Sequence, residues 1–232
     1  GEYPKYTTER TFTFMRLRHI PGAEEAIASS PYVIQDPEQK NGCWSQVFGN
    51  SNPIEIEVGM GKGRFIMELA LSHPGINYIG IERYPTVLLK GLQKRSRLEL
   101  ANIFFLCIDA GSMADIFAPG EVARIYLNFS DPWLKDRHAK RRLTSPAFLS
   151  VYEKILAPRG QIEFKTDNQG LFDYSMESIP AAGWNIQEYT RDLHKSPMVL
   201  GNVMTEYEMK FSAMGKPICK LIAQPGNTEH ML

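Results

Sequence analysis

Ile54-Glu55-Ile56-Glu57-Val58-Gly59-Met60-Gly61-Lys62-Gly63-Arg64-Phe65 is the stretch that decides the fold. Its first five residues alternate apolar and acidic, the period of a β-strand. Glycines then fall at every second position, where the backbone can turn tightly and approach a ligand without a Cβ in the way. Residues 64–72 follow as a helix, so the stretch reads strand, glycine turn, helix. The spacing is not that of a P-loop, because Lys62 is followed by Gly63 and not by Ser or Thr. Nor is it G-x-G-x-x-G, since the third glycine comes one position early. Taken alone, the loop is weak evidence of a ligand site, with a set of structural turn glycines as the alternative.

The same alternation recurs outward from it. Asn77–Glu82, Ile103–Asp109, Arg124–Phe129 and Gln161–Thr166 read as strands, and residues 85–100, 145–156 and 169–179 read as helices. Strands alternating with helices build βαβ units and a parallel sheet. After residue 183 the pattern changes: Trp184–Tyr189, Tyr207–Phe211 and Ile218–Ile222 read as strands with no helix between them. The expectation is an α/β fold whose parallel sheet is closed at one edge by an antiparallel hairpin. Residues 1–50 have weaker periodicity and several Pro, Gly and Asn. They are expected to be an N-terminal extension packed on a domain formed by residues 51–232.

With 232 residues, 43% hydrophobic, 22% charged and no formal net charge, the chain is sized for one domain with a substantial core, and disorder as its main state is excluded. The longest apolar run, Ile103–Ile108, is far short of the about 20 residues a membrane helix needs. Cys43, Cys107 and Cys219 form no C-x-x-C pair, which fits a reducing, cytoplasmic setting. The histidines, His19, His73, His138, His194 and His230, are scattered, so no metal site is expected. No signal peptide is visible in the sequence as given; Gly1 and Met15 both stand as candidate starts. Zero net charge conceals a local asymmetry. Residues 135–142 hold five Lys or Arg against one acid, and Arg16-Leu17-Arg18-His19 forms a second basic stretch with Lys5 and Arg10 before it. Such clusters are compatible with a docked polyanion, though a charge run is more often a solvated face.

In open α/β sheets, ligands bind outside the carboxyl ends of the strands. The first strand ends in the glycine loop. The second ends in Glu82, at the spacing expected of an acid that holds ribose hydroxyls, and the third in Asp109, able to accept from an adenine amino group. In that order the three read as a site for an adenosine-containing cofactor. The fourth strand runs into Asp131-Pro132-Trp133, a carboxylate and a flat ring beside the reactive end, suited to a planar base with N–H donors. The basic run follows at once.

These features resemble the bacterial tRNA (guanine-N(7)-)-methyltransferase family. The resemblance is carried by Glu57-Val58-Gly59-x-Gly61-Lys62-Gly63, Tyr78-Ile79-Gly80-Ile81-Glu82, Tyr126–Trp133, Lys140-Arg141-Arg142-Leu143-Thr144, Phe164-Lys165-Thr166-Asp167-Asn168 and Thr205-Glu206-Tyr207-Glu208. It spans about Arg16 to Lys220. It implies a Rossmann-like class I methyltransferase with a mostly parallel seven-stranded sheet. It also implies S-adenosylmethionine as cofactor, tRNA as partner, and methylation at N7 of guanosine 46 in the variable loop. By motif match, Glu57, Gly59, Gly61, Glu82, Asp109 and Asp131 would line the cofactor site, with Asp131 catalytic. Lys135, Asp167, Thr205, Glu206, Tyr207 and Glu208 would bind the nucleoside, and Arg137, His138, Lys140, Arg141 and Arg142 would touch RNA. A monomer or a homodimer is compatible with it. One departure is Leu134, where the family usually has proline; its loss frees φ at that residue.

Methyl transfer from a sulfonium is an in-line displacement, so the protein has chiefly to align acceptor, methyl and sulfur. Guanine N7 has a lone pair and no proton, so no general base is needed. A fixed carboxylate, at Asp131 or Asp167, would stabilise the charge that develops on the purine. Three rivals share parts of the pattern. An exocyclic-amine methyltransferase usually has a second proline after Pro132, a nicotinamide oxidoreductase has different glycine spacing, and a non-catalytic RNA-binding module does not need the three strand-end motifs together.

Overall fold

The computed structural model describes residues 20–226. Lys5, Arg10, Arg16, Arg18 and His19, the candidate starts Gly1 and Met15, and His230 lie outside the described residues. Inside the sheet lies β1 (Ile54–Val58), whose branched residues at alternate positions suit a pleated, buried strand. It pairs in parallel with β2 (Asn77–Ile81) on one side and β4 (Val122–Asn128) on the other. β3 (Ile103–Leu106) adds beyond β2, and β5 (Leu156–Thr166) beyond β4, both parallel. β7 (Cys219–Pro225) runs antiparallel to β5, and β6 (Trp184–Thr190) antiparallel to β7. The order is β3-β2-β1-β4-β5-β7-β6. This is the mostly parallel seven-stranded sheet with an antiparallel C-terminal edge that the sequence implies. The reversed strand, β7, is inserted between β5 and β6 and is not outermost. Chain order turns back between β1 and β4, and this switch point opens a crevice at their carboxyl ends.

Helices cover both faces. α1 (Ala23–Ser29) and α2 (Trp44–Phe48) precede the sheet; α3 (Arg64–Ser72), α4 (Pro85–Arg95), α5 (Met113–Ile116), α6 (Pro146–Ile155) and α7 (Gln169–Ala181) connect its strands. Ile56, Ile79, Ile125 and Leu127 point to one face, under Tyr152 of α6, Phe172 of α7 and Trp44 of α2. Tyr78, Phe105 and Tyr126 point to the other, under Ile66 of α3 and Leu88 of α4. Residues 20–50 enter both layers: Ile27 and Val33 join the second, and Val33 bridges Phe105.

Toward β5 and β7 this second face turns polar. Arg124 lies 2.8 Å from Glu163 and 3.8 Å from Glu55, and Lys220 lies 3.0 Å from Glu163. Tyr126 Oη donates to Glu55 at 2.7 Å. Burial, followed by the Glu55 charge, pushes the Tyr126 phenol up, so it keeps the proton it donates. Of the two acids that alternate along β1, Glu55 is therefore buried and paired.

Two sequence readings are corrected here. The helix expected over residues 85–100 stops at Arg95, whose guanidinium folds back to donate to the carbonyls of Leu98 and Leu100 and lies 4.3 Å from the Tyr32 ring centre. The strand expected at Tyr207–Phe211 is a helix, α8 (Glu206–Ala213). Thr205 Oγ1 caps it by accepting from the Glu208 N–H at 3.0 Å, Glu206 and Glu208 fall in its first turn, and Tyr207 stacks on Phe211 one turn later. Thr-x-x-Glu is a helix-start signal, and it outweighs the short apolar-polar alternation that follows it.

Trp44 is fully buried, donates Nε1–H to the Ile116 carbonyl at 2.9 Å and packs on Phe117 with ring centres 5.4 Å apart. Trp44→Ala is expected to cost about 3–5 kcal/mol in urea unfolding, and Trp44→Phe less. A loss below about 1 kcal/mol for the alanine variant would show that residues 20–50 are energetically separable from the sheet.

Candidate active site

The glycine loop leaves β1 by hanging on β2: the N–H groups of Gly59 and Met60 both donate to the Ile81 carbonyl at 2.9 Å. Gly59 and Gly61 sit at φ 78° and 58°, and a Cβ on either would meet nothing within 4 Å. Their glycines are thus required by backbone conformation, and the space above the loop is open. Glu82, at the end of β2, fastens this loop. Its Oε1 accepts from the Gly61 N–H and its Oε2 from the Tyr84 N–H, both at 3.0 Å. Burial raises the Glu82 carboxyl, while the Tyr84, Gly61 and Arg83 N–H groups lower it. Lone pairs remain on both oxygens for hydroxyl donors. Asp109 lies beyond β3, exposed, accepting from the Gly111 N–H at 2.8 Å and 3.6 Å from Arg83.

Glu57 is enclosed at the end of β1. Its Oε2 accepts from Asn128 Nδ2 at 2.8 Å, and its Oε1 is buried without a hydrogen-bond partner among the described residues. Burial lifts its carboxyl to about 8; the Asn128 hydrogen bond and Lys165 oppose the rise, and Glu82 adds to it. An open cradle of backbone, an acid with lone pairs for vicinal hydroxyls and an orphaned buried carboxyl oxygen fit a ligand carrying ribose and positive charge.

Across the switch point, Asp131 lies just beyond β4. It is exposed, and its Oδ1 accepts from the Trp133 N–H at 3.0 Å. α8 brings the 205–208 segment to this place. Glu206 lies 3.8 Å from Lys62 of the glycine loop, and Tyr207 stacks on Phe129, which precedes Asp131, at 6.5 Å between centres. Asp167, at the end of β5, is 4.0 Å from Lys216. Glu208 differs from the other proposed nucleoside contacts because it is buried. Its Oε1 accepts from Lys165 Nζ at 2.5 Å, and its Oε2 from Asn202 Nδ2 at 2.7 Å and His194 Nε2 at 3.0 Å. It anchors α8. Lys165, His194 and Asn202 are the members of this group to which the sequence reading assigns no role; Thr205-x-x-Glu208 was the one signal for it.

The basic run forms a 3-10 turn over Asp136–Arg141. Lys135, Arg137 and Lys140 are exposed or nearly so and make no side-chain hydrogen bond or ion pair among the described residues. His138 meets the edge of Trp133, and the Arg141 guanidinium lies 5.0 Å from the same ring centre. Desolvation and the charges of Arg141, Arg137 and Lys135 hold His138 below its ordinary range. Arg142 instead turns inward, onto the carbonyls of Pro132 and Trp133. Leu134 is exposed.

A family model described as "Putative methyltransferase" matches residues 51–221. Curated relatives called tRNA (guanine-N(7)-)-methyltransferase include one from Lachnoclostridium phytofermentans, 59% identical over 90% of this chain and 98% of its own. Others come from a Geobacillus species, 54% identical over 88% and 93%, and from Bacillus subtilis, 51% identical over 88% and 96%. Among solved structures, an antibiotic-related methyltransferase superposes with a TM-score of 0.57 at 19% identity, covering 78% of this chain and 90% of its own. A mutant 16S rRNA (adenine(1408)-N(1))-methyltransferase from Catenulisporales acidiphilia, with cosubstrate SAM, gives 0.55 at 14%, covering 86% and 96%. The sheet order, the glycine loop and these superpositions show the Rossmann-like class I fold, and the family model makes the class that of methyltransferases. Within that class, the chain belongs to the tRNA (guanine-N(7)-)-methyltransferase family.

The raised Glu57 carboxyl has a consequence for stability. Between its ordinary 4.5 and about 8 the folded chain keeps a proton that the unfolded chain has released, so stability falls as pH rises through that window. The slope from this group approaches about 1.4 kcal/mol per pH unit. Glu57→Gln is neutral throughout, so its urea midpoint is expected to fall less than that of the unmodified chain over the same window. Parallel midpoint curves for the two proteins would show Glu57 ionised in the folded state.

Proposed function

We propose that this chain transfers a methyl group from S-adenosylmethionine to N7 of guanosine 46 in the variable loop of tRNA, giving 7-methylguanosine, in the cytoplasm and as a monomer or homodimer. The observation that carries the reading is the convergence of three remote segments on the switch point. Lys62–Glu206 joins α8 to the glycine loop, and Phe129–Tyr207 joins it to the Asp131 loop. One cleft therefore has a cradle for an adenosine-bearing cofactor on one wall and a carboxylate with aromatic neighbours on the other. The names and coverage of the curated relatives support tRNA guanine as the acceptor.

Glu57, the Gly59 and Gly61 backbone, Glu82, Asp109 and Asp131 would hold the cofactor, which supplies an electrophilic methyl on a sulfonium. Glu82 presents lone pairs to ribose hydroxyls while its backbone hydrogen bonds keep the carboxylate from moving. Asp131 accepts from the guanine N1–H and N2–H₂ edge, and its fixed charge grows more favourable as N7 loses its lone pair to the methyl. Lys135, Asp167, Thr205, Glu206 and Tyr207 frame the nucleoside; Glu208 acts from beneath by holding α8 in place. Arg137, His138, Lys140 and Arg141 would meet phosphates flanking a looped-out base.

Incubation with methyl-labelled S-adenosylmethionine and unmodified tRNA should yield 7-methylguanosine on nucleoside analysis. Asp131→Asn should lower kcat by about 10²-fold or more while cofactor affinity falls less. A tRNA with 7-deazaguanosine at the target keeps the N1–H and N2–H₂ edge and should bind without accepting methyl. Label in that RNA at the same nucleoside would move the acceptor to an exocyclic or ring nitrogen and overturn the reading.

A further inference from the structure

The loop carrying Asp131 is held in an unfavourable backbone conformation. Phe129 and Trp133, two residues to either side of it, have φ of 53° and 45°, the left-handed region that L side chains rarely adopt. Such residues persist where their surroundings over-determine them. On the Phe129 side the anchor is the sheet: the Phe129 N–H donates to the Lys165 carbonyl at 2.8 Å. On the Trp133 side the backbone is held by Arg142, while Arg141 and His138 touch only the ring. Arg142 Nε donates to the Pro132 carbonyl and Nη2 to the Trp133 carbonyl, both at 2.9 Å. The same guanidinium lies 4.5 Å from the ring centre of Tyr174, on α7. The chain of contacts closes on the carboxylate itself, because the Trp133 N–H donates to Asp131 Oδ1.

We propose that Arg142 is a positioning residue for Asp131, locking the Phe129–Trp133 loop through two carbonyls, and that it is not a phosphate contact. The basic run then divides by orientation. Arg137 and Lys140 face outward with their donors free, whereas Arg142 is half-buried and spends two donors on the loop. A planar fork stacked on an aromatic ring can span two neighbouring carbonyls; an ammonium cannot. The inference that this affects catalysis rests on the proposed role of Asp131.

The test compares Arg142→Ala, Arg142→Lys and Arg137→Ala, each first checked by circular dichroism melting. Trp44 and Trp184 are 0% and 3% exposed, so acrylamide quenching of tryptophan fluorescence reads Trp133. Quenching should rise in both Arg142 variants and stay unchanged in Arg137→Ala. For tRNA binding across a salt series, the slope should be unchanged in both Arg142 variants and fall by about 0.7 in Arg137→Ala, the loss of one single-strand phosphate contact. Methyl transfer by both Arg142 variants should drop about 10²-fold in kcat, with lysine giving no rescue. If Arg142→Ala does not fold, Arg142→Lys decides. A salt slope lowered in the Arg142 variants with quenching unchanged would overturn the proposal, as would full kcat in Arg142→Lys. Should the unmodified chain methylate no tRNA, the functional reading fails, and the quenching comparison still decides whether Arg142 holds the loop.

Discussion

The Lys165–Glu208 pair is the constraint on which the site depends. The two side chains are 3% and 0% exposed and their charged atoms are 2.5 Å apart. Removing either charge from water is costly, and the cost is offset only where geometry is good and the remaining lone pairs and protons are matched. Here they are. Glu208 also accepts from Asn202 and His194, and Lys165 Nζ also donates to the Val203 carbonyl at 2.8 Å. Burial depresses the Lys165 ammonium, and Glu208 is the chief influence restoring it. Because Lys165 belongs to β5 and Glu208 to α8, the pair fastens a late segment of chain to the central sheet. Loss of one partner would strand the other in a buried position, so the pair ties α8 to one place on the sheet.

From that fixed point the two walls of the cleft follow. α8 presents Glu206 to Lys62 and Tyr207 to Phe129, linking glycine loop and Asp131 loop through one helix end. The walls are also built differently. The glycine loop is held by backbone hydrogen bonds and by Glu82, a carboxylate that is both fastener and candidate ligand. The Asp131 loop is held by the Lys165 carbonyl at Phe129 and by the Arg142 side chain at Pro132 and Trp133, with Phe129 and Trp133 in left-handed backbone that L side chains do not favour. Among the described residues, no helix is long and apolar enough to cross a membrane and no cluster of metal-ligating side chains occurs.

Most of the sheet was legible because its cause is local. Ile54–Val58, Asn77–Ile81 and the helix at residues 64–72 announce themselves by period and by the glycines between them, and the alternation of strands with helices implies a parallel sheet. The strand-end reading of Glu82, Asp109 and Asp131 matches their positions just beyond β2, β3 and β4, at the carboxyl edge of the parallel strands. The failures have physical reasons. Tyr207–Phe211 alternates like a strand, but the Thr205 cap and the anchoring of Glu208 by groups 6 to 43 residues away in sequence make it helix. The 85–100 helix ended early because Arg95 captured the carbonyls of the turn that follows.

The sequence by itself determined the fold class, the glycine cradle and the acids at successive strand ends, since each depends on residues close together in the chain. Only the tertiary structure decided which polar groups face the cleft and which hold it together. Glu208 and Arg142 lie in motifs that read as ligand contacts, yet one is buried against Lys165 and the other lies on the carbonyls of Pro132 and Trp133. A charge in a sequence does not reveal its partner. Whether it meets solvent, ligand or protein depends on burial and on groups brought close by folding, and those belong to the assembled molecule.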